Sequence, residues 1–395
     1  MKNTTVLISV FLLVTVSAGA QAVIKTMKRL PDTGQQLSYT NTFGEDADFS
    51  IHLPVYKVNG DGTVTDTVTG LMWQQTDGGE MRWEEAITFC DTLTLGNYTN
   101  WRLPDCHELF SILNEDALNP AIDTNYFQRT SAEYWWSSEV QANDSSKIWV
   151  TNAGGGVGNH PKNETLSAGG TKRFHVRAVR DQSAPTALNN QFTNHVDGTV
   201  IDSLTGLIWQ SIPAADSLNW EDALHYADTL QLGNFQDWRL PNIKELQSLN
   251  DESRINPSLN TSYFPLSTSV KYWSSTSLRN QPNRAWFLDT HFGITSYADK
   301  NSKQMVLCVR NNSLPNSIID EKAISALFYP NPFNTTIQYS ESLNGATFSI
   351  IDVLGKTVVT GNFEGALDLQ DLPKGIYQII VQNALFPIHR MLLKQ

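Results

Sequence analysis

The strongest constraint on this chain is a string that it carries twice. Trp101-Arg102-Leu103-Pro104-Asp105 returns 137 residues later as Trp238-Arg239-Leu240-Pro241-Asn242, and both copies run on to a Glu-Leu pair, Glu108-Leu109 and Glu245-Leu246. The flanks repeat too. Asp61-Gly62-Thr63-Val64-Thr65-Asp66 matches Asp197-Gly198-Thr199-Val200-Ile201-Asp202, and Trp136-Ser137-Ser138 matches Trp273-Ser274-Ser275. Self-similarity of this kind fixes two copies of one domain, and 395 residues leave room for more.

Each copy reads in the same order. The Asp-Gly-Thr-Val stretches flank turns ending at Gly70 and Gly206, which predicts a β-hairpin. Ala86, Cys90 and Leu93, like Ala223, Ala227 and Leu230, sit at i, i+4, i+7 and form one helical face. Gly96 and Gly233 are expected as the C-cap glycines of these helices. Asp105 and Asn242 are N-cap types with Glu108 and Glu245 three residues on, a capping-box spacing. A second helix is therefore expected over Glu108 to Leu113 and Glu245 to Leu249. Alternating strands close each copy, Val176 to Arg180 and Val306 to Arg310. The expected fold class is α+β: hairpin, two helices, antiparallel strands.

Tryptophan follows the repeat. Of 11 Trp, ten form matched pairs: 73/209, 83/220, 101/238, 136/273 and 149/286. Such positions are expected to anchor cores, because a buried Trp removes a large apolar area from water. Trp73, Trp101, Trp136, Trp209, Trp238 and Trp273 are accordingly scaffold, as are the charged repeats Arg102, Glu108, Arg180, Arg239, Glu245 and Arg310, for which ion pairs and caps are available.

The rest of the chain divides around these copies. Residues 1–22 have the pattern of a signal peptide: Lys2, an apolar run Val6 to Val16, and small residues Ala18-Gly19-Ala20. Residues 23–58 form a lead-in expected to pack partly on the first domain. The copies occupy 59–182 and 192–311, and 312–326 is a linker. Residues 327–395 contain no Trp and carry short strands, Phe348 to Asp352 and Ile376 to Val381, which predict a small all-β sandwich. No later run of about 18 apolar residues exists, so no transmembrane segment is expected. The formal charge of −12 argues against nucleic acid and against an anionic membrane surface. Three cysteines leave at least one unpaired within the chain. Cys90 with Cys308, Cys90 with Cys106, or three buried free thiols are the open arrangements, the last being favoured.

On Asp-Gly-Thr-Val-x-Asp, Gly-Leu-x-Trp, Trp-Arg-Leu-Pro-x-x-x-Glu-Leu, Trp-Ser-Ser and Val-Arg, both copies resemble the DUF1566 family, also called the Lcl C-terminal domain. The resemblance implies a C-type-lectin-like fold and a role in binding or adhesion, with sulfated glycans as the ligand of one family member. It also implies a cysteine pair between first helix and last strand. Here Cys90 faces Ala178 in that scheme and Cys308 faces Ala227, so each copy lacks the opposite half. The C-terminal segment resembles the type A sorting domain of the type IX secretion system, on Tyr329-Pro330-Asn331-Pro332-Phe333, Ile351-Asp352, Gly355-Lys356, Leu372-Pro373-Lys374-Gly375 and Leu392-Leu393-Lys394. That implies export, the secretion machinery as a partner, and a final place on the outer-membrane surface or outside the cell.

No catalytic residue is singled out. Gly-x-Ser-x-Gly and His-Glu-x-x-His are absent, and the eight His are scattered, suggesting no metal site. A calcium loop at Asn59 to Asp61 fails because Lys57 and Val68 stand where acidic ligands are needed. No cofactor is expected; calcium has in its favour only Gln281-Pro282-Asn283, similar to a lectin sugar-binding triplet but without its Trp-Asn-Asp partner. Loops where the copies diverge are the better candidates. They place a ligand-binding role on Asn143, Asp144, Ser146, His160 and Asn163 in the first copy, and on Asn280, Gln281, Asn283, Arg284, Asp289 and His291 in the second. The expected function is an exported binding or adhesion protein for a glycan or another extracellular partner, with two sites gaining avidity. A structural display module is the alternative, and an extracellular enzyme a lesser one.

Overall fold

The computed structural model describes residues 23–312, apart from 129, 166–173 and 267, and then 328–329, 333–339, 347–352, 356–363, 366–382 and 387–394. The expected signal peptide and the expected linker, save residue 312, lie outside the described residues. The described residues are mostly β, with four short α-helices and one 3-10 turn at Asp46–Asp48.

The lead-in opens on β1 (Val23–Lys25). The first repeat then runs β2 (Tyr56–Val58), β3 (Thr63–Asp66), β4 (Leu71–Gln74), α1 (Trp83–Thr92), α2 (Cys106–Ser111), β5 (Tyr134–Val140), β6 (Lys147–Asn152), β7 (Val157–Pro161), β8 (Phe174–His175) and β9 (Val179–Asp181). After β10 (Thr186–Leu188), the second repeat restates this with β11 (Phe192–Asn194), β12 (Thr199–Asp202), β13 (Leu207–Gln210), α3 (Trp220–Thr229), α4 (Ile243–Gln247), β14 (Lys271–Ser277), β15 (Arg284–Asp289), β16 (Ile294–Asp299) and β17 (Val309–Asn311). Each repeat holds two sheets: β2-β3-β4-β9 and β7-β6-β5-β8 in the first, β11-β12-β13-β17 and β14-β15-β16 in the second. The strand ladders of the repeats are antiparallel except between β5 and β8, and a single parallel bridge from Tyr272 to Met305 stands in its place in the second repeat; neither belongs to the expected all-antiparallel arrangement.

The hairpins form where expected and for a visible reason. Asp66 Oδ1 accepts from the backbone N–H of Val68 and Thr69, folding the turn that Gly70 completes at φ +75°. Asp202 and Gly206 repeat it. The second helix is capped as the spacing predicts: Asp105 accepts from the Glu108 N–H at 2.7 Å, and Glu108 accepts from the Asp105 N–H at 3.0 Å. It starts two residues before Glu108, at Cys106.

The glycine expectation needs correction. The first helices end at Leu93 and Leu230, which are already extended. Gly96-Asn97 and Gly233-Asn234 lie beyond, each with positive φ at both residues, φ +60° and +64° in the first copy. Leu95 and Tyr98 exchange both backbone hydrogen bonds around them. Two central residues with φ > 0 make the primed turn of a two-residue hairpin, which demands Gly and Asn types; the glycine serves this turn and not the helix end.

Within the first repeat the cores are built around Trp73 and around Trp101 with Trp136; the second repeats this with Trp209 and with Trp238 and Trp273. A further apolar cluster belongs to neither repeat alone. Cys106, Phe110, Leu113, Trp149 and Val157 of the first pack with Ile243, Leu278 and Trp286 of the second. The repeats therefore share a core. Hydrogen bonds cross it, including Val157 N–H to Thr295 Oγ1 at 2.7 Å.

The lead-in packs on the first repeat, with Lys28 N–H donating to the Thr69 carbonyl at 2.7 Å, and is fastened to the second repeat as well. Ile24 pairs with Ala187 in the β1–β10 ladder, and Glu115 N–H of the first repeat donates to the Thr33 carbonyl. The strongest anchoring is on β14: Thr276 Oγ1 donates to Asp46 at 2.6 Å, Ser277 Oγ to Glu45, and Ser277 N–H to Gln35 Oε1 at 3.1 Å. Chain order hides this, because the segment crosses its own repeat to reach the next one.

All three cysteines are free and buried. The C-terminal segment forms two sheets, β18 (Phe328–Tyr329), β19 (Thr336–Tyr339) and β22 (Leu367–Asp368) against β21 (Thr357–Asn362), β20 (Thr347–Asp352), β23 (Gly375–Gln382) and β24 (Pro387–Lys394). Phe333, Ile337, Ile350, Ile379 and Val381 share one core, as a small sandwich requires.

Candidate functional site

The duplicated string is closed on itself. Arg102 grips Glu108 with two parallel hydrogen bonds, 2.6 and 2.7 Å, and reaches Asp181 at 2.9 Å. Arg239 does the same to Glu245 at 2.5 and 2.6 Å, with Asn311 in place of Asp181. A planar guanidinium matches a carboxylate in this two-pronged way. One glutamate thus completes a helix cap and holds an arginine, and the arginine ties the helix start to the last strand. Arg180 and Arg310 reach Asn100 and Asp237 and lie 3.8 and 3.7 Å over the rings of Tyr98 and Phe235. The paired Trp side chains are buried except Trp83, which is half-buried beneath Lys162.

The open feature lies between the repeats. A groove of about 420 Å3 runs between the β6–β7 turn of the first repeat and the β14–β15 turn and β16 of the second. Asn152, Gly154 and Gly156 form one wall; Asn280, Gln281, Ser296 and Tyr297 form the other; Trp286 lies between them, and Leu118, Asn119 and Glu133 close an end.

Each wall is held. Asn152 Oδ1 accepts from Gly154 N–H at 2.8 Å and from Gly156 N–H at 3.3 Å, which winds the turn tightly. A Cβ on Gly156 would stand 2.8 Å from Asn152 Nδ2, so a larger residue there would displace the amide that winds the turn, and it would touch the Trp286 ring at 3.5 Å. Trp286 meets Tyr297 edge to face at 5.5 Å, and the Arg284 guanidinium lies 5.5 Å over the Tyr297 ring. Tyr297 is 40% exposed, whereas Trp286 is buried with its Nε1–H unpartnered among the described residues. The lining is amide, hydroxyl and aromatic, with Glu133 as its one charged side chain among the described residues. Such a surface offers donors and acceptors to a neutral polar ligand and no counter-charge to an anion.

A second cavity, about 500 Å3, opens beside the lead-in and is lined by Lys28, Arg29, His52, Leu53, Thr67 and Val68. Its lining is basic. Burial and the nearby Arg29 hold the His52 imidazole below its ordinary range.

Of the loop residues proposed from sequence, the structure brings Asn280 and Gln281 to the groove. Arg284 stands behind it on Tyr297. Asn143, Asp144 and Ser146 occupy the β5–β6 turn, where Asp144 accepts from Ser146 and its carboxyl is held low by those bonds. His160 packs on Tyr134 and Phe174 and pairs with Glu164 at 3.4 Å. Asn163 is exposed beyond β7, and Asn283 donates to Asp299 at 3.3 Å. Asp289 lies 3.9 Å from Lys271, and His291 lies 3.3 Å from Ser269. Sequence reading passed over Tyr297, Ser296 and Glu133. They become neighbours only because two repeats dock; the visible hint was Trp149 and Trp286, paired aromatics within alternating strands.

Residues 62–180 and 198–310 each match the Lcl C-terminal domain, together more than half of the chain, and the chain belongs to that family. Residues 327–393 match the Secretion system C-terminal sorting domain. The protein is therefore directed to the cell surface or the extracellular space and engages the type IX secretion machinery. A comparison with curated proteins gives no match. Among solved structures, one is similar from a study of PorZ, an essential bacterial surface component of the type-IX secretion system of Porphyromonas gingivalis, at 13% identity and a TM-score of 0.15. The match covers 63% of this chain and 29% of that one, so this chain spans less than a third of that structure, and the likeness carries no argument. No helix among the described residues is long and apolar enough to cross a membrane.

Proposed function

We propose that this protein is a surface-attached or released binding protein built on two C-type-lectin-like repeats, and that a neutral, hydroxyl-rich glycan is held in the groove between them. The observation that carries this reading is the lining: amides from Asn119, Asn152, Asn280 and Gln281, hydroxyls from Ser296 and Tyr297, and a half-open aromatic ring, without a cation. Small-ligand sites combine an apolar wall with a few placed polar groups in this way. A sulfated glycan fits this groove poorly; its charge is better met by Lys28 and Arg29 at the second cavity. The proposal is for binding without catalysis and without a cofactor.

A glycan array probed with the full chain, comparing neutral with sulfated sugars, tests it. Binding to neutral glycans that Tyr297→Ala and Gln281→Ala each weaken is expected. Binding confined to sulfated sugars and indifferent to both substitutions would sink the groove.

One observation favours a protein partner instead. Leu37, Phe43, Leu53 and Val55 are all exposed on the lead-in, apolar side chains that a protein partner could cover. Under that reading Phe43→Ser and Leu53→Ser abolish capture of an envelope protein and leave any sugar binding intact.

A further inference from the structure

The interface between the repeats has two related sides. On one, Lys244 of α4 buries its ammonium and donates to the carbonyls of Asp32 and Ser111 at 2.8 and 2.7 Å. Glu115, from the first repeat, is buried on that side with its Oε1 unpartnered. The Ile243 N–H at the start of α4 is taken by Thr276 Oγ1 at 3.0 Å. The repeat relation carries Lys244 to His107, Glu115 to Glu252, Ile243 to Cys106 and Thr276 to Glu139. On the second side, then, a shorter imidazole replaces the ammonium, and a thiol and a carboxylate replace Ile and Thr.

We propose that Cys106, Glu139 and Glu252 form a site for one divalent transition-metal ion of the zinc type, bridging the two repeats. One ligand atom from each lies within 4.8 Å of the others. The carboxylates are already oriented. Glu139 accepts from the Cys106 N–H at 2.8 Å, while Glu252 accepts from Asn250 at 2.9 Å and meets His107 Nε2 at 3.1 Å. Metal-binding carboxylates are held by outer hydrogen bonds of this kind. The independent sign of a ligand is Cys106 itself. Its side chain is fully buried, faces the two carboxylates, and makes no hydrogen bond among the described residues. The opposite side sets Lys244 where this side sets His107, whose imidazole reaches Glu252; no ion pair is made by Glu139 among the described residues.

Donor type selects the ion. One thiolate and two carboxylates suit zinc, whose tetrahedral sites take sulfur, nitrogen and oxygen. Calcium asks for six to eight oxygens. Three protein ligands leave a fourth position for water or for the imidazole of His107. On binding, Cys106 releases its thiol proton to solvent. The site escaped sequence reading because its ligands come from three separate segments in two repeats.

The test uses the full chain, stripped with a chelator and titrated with Co2+ as a coloured substitute for Zn2+. One equivalent with a thiolate-to-cobalt charge-transfer band is expected, displaced by Zn2+, and Zn2+ raises the melting temperature. Cys106→Ser removes the band, Glu252→Gln weakens binding at least tenfold, and Cys308→Ser changes neither. Absence of the band from the folded wild-type chain overturns the proposal. So does wild-type affinity in folded Glu252→Gln, which decides the matter even where Cys106→Ser fails to fold.

Discussion

At the scale of single residues, the same ion pair occurs twice in different surroundings. Arg239 and Glu245 are 6% and 5% exposed, whereas Arg102 is one-third exposed over a fully buried Glu108. Removing one partner of a buried pair leaves an uncompensated charge and costs about 3–5 kcal/mol. Arg239→Ala is expected to lose stability on that order, and Arg102→Ala clearly less, because water enters where its guanidinium already meets solvent. Chemical denaturation of the two variants checks this, and equal losses would refute it. Glu115 adds a pH dependence. Burial pushes its carboxyl up from 4.5 to about 8, with Lys244 pulling it down and Asp46 pushing it further up. A folded-state value above the unfolded one means that, between these limits, the folded chain holds a proton that the unfolded chain releases. Stability contributed by that proton is present at low pH and is lost as pH rises through the window. Glu115→Gln cannot titrate, so its denaturation midpoint is expected to fall less than wild type between pH 5 and pH 8.

At the scale of elements, local chemistry was the legible part. Asp105 with Glu108, and Asn242 with Glu245, announce their helices because a cap is a contact over three residues, within reach of a spacing argument. Asn242→Ala removes the side-chain acceptor of the Glu245 N–H and is expected to cost about 0.5–2 kcal/mol. Gly96 and Gly233 were legible as positive-φ glycines but not as to which turn needed them, since a helix end and a primed hairpin a few residues later ask for the same residue. Gly233→Ala discriminates. Its Cβ would stand 2.8 Å from Thr199 Cγ2 at φ +62°, so the hairpin at Leu232 and Phe235 should loosen while α3 keeps its length. Hydrogen exchange at the Leu232 and Phe235 amides reads that directly, and faster exchange spread along α3 would restore the helix-cap account.

At the scale of the whole molecule, the contacts that matter join residues more than a hundred apart. Val157 to Thr295, His107 to Glu252 and Thr276 to Asp46 leave no periodic trace, so the shared core and the crossing lead-in could not be read from the chain. Trp149 and Trp286 were legible as buried, but not as buried against the other repeat. This changes what duplication does here. Two independent domains would offer two sites and gain by avidity. Two repeats that share a core should unfold together, and a groove with a wall from each is one site. Calorimetric titration of the full chain with a neutral glycan is therefore expected to give one ligand per chain. Cleaving an engineered protease site in the exposed connection at Ser183 to Ala187 should leave binding intact while the halves stay associated, and abolish it once they are separated. Two equivalents per chain, or full affinity in either isolated half, would return the site to the separate loops of each repeat.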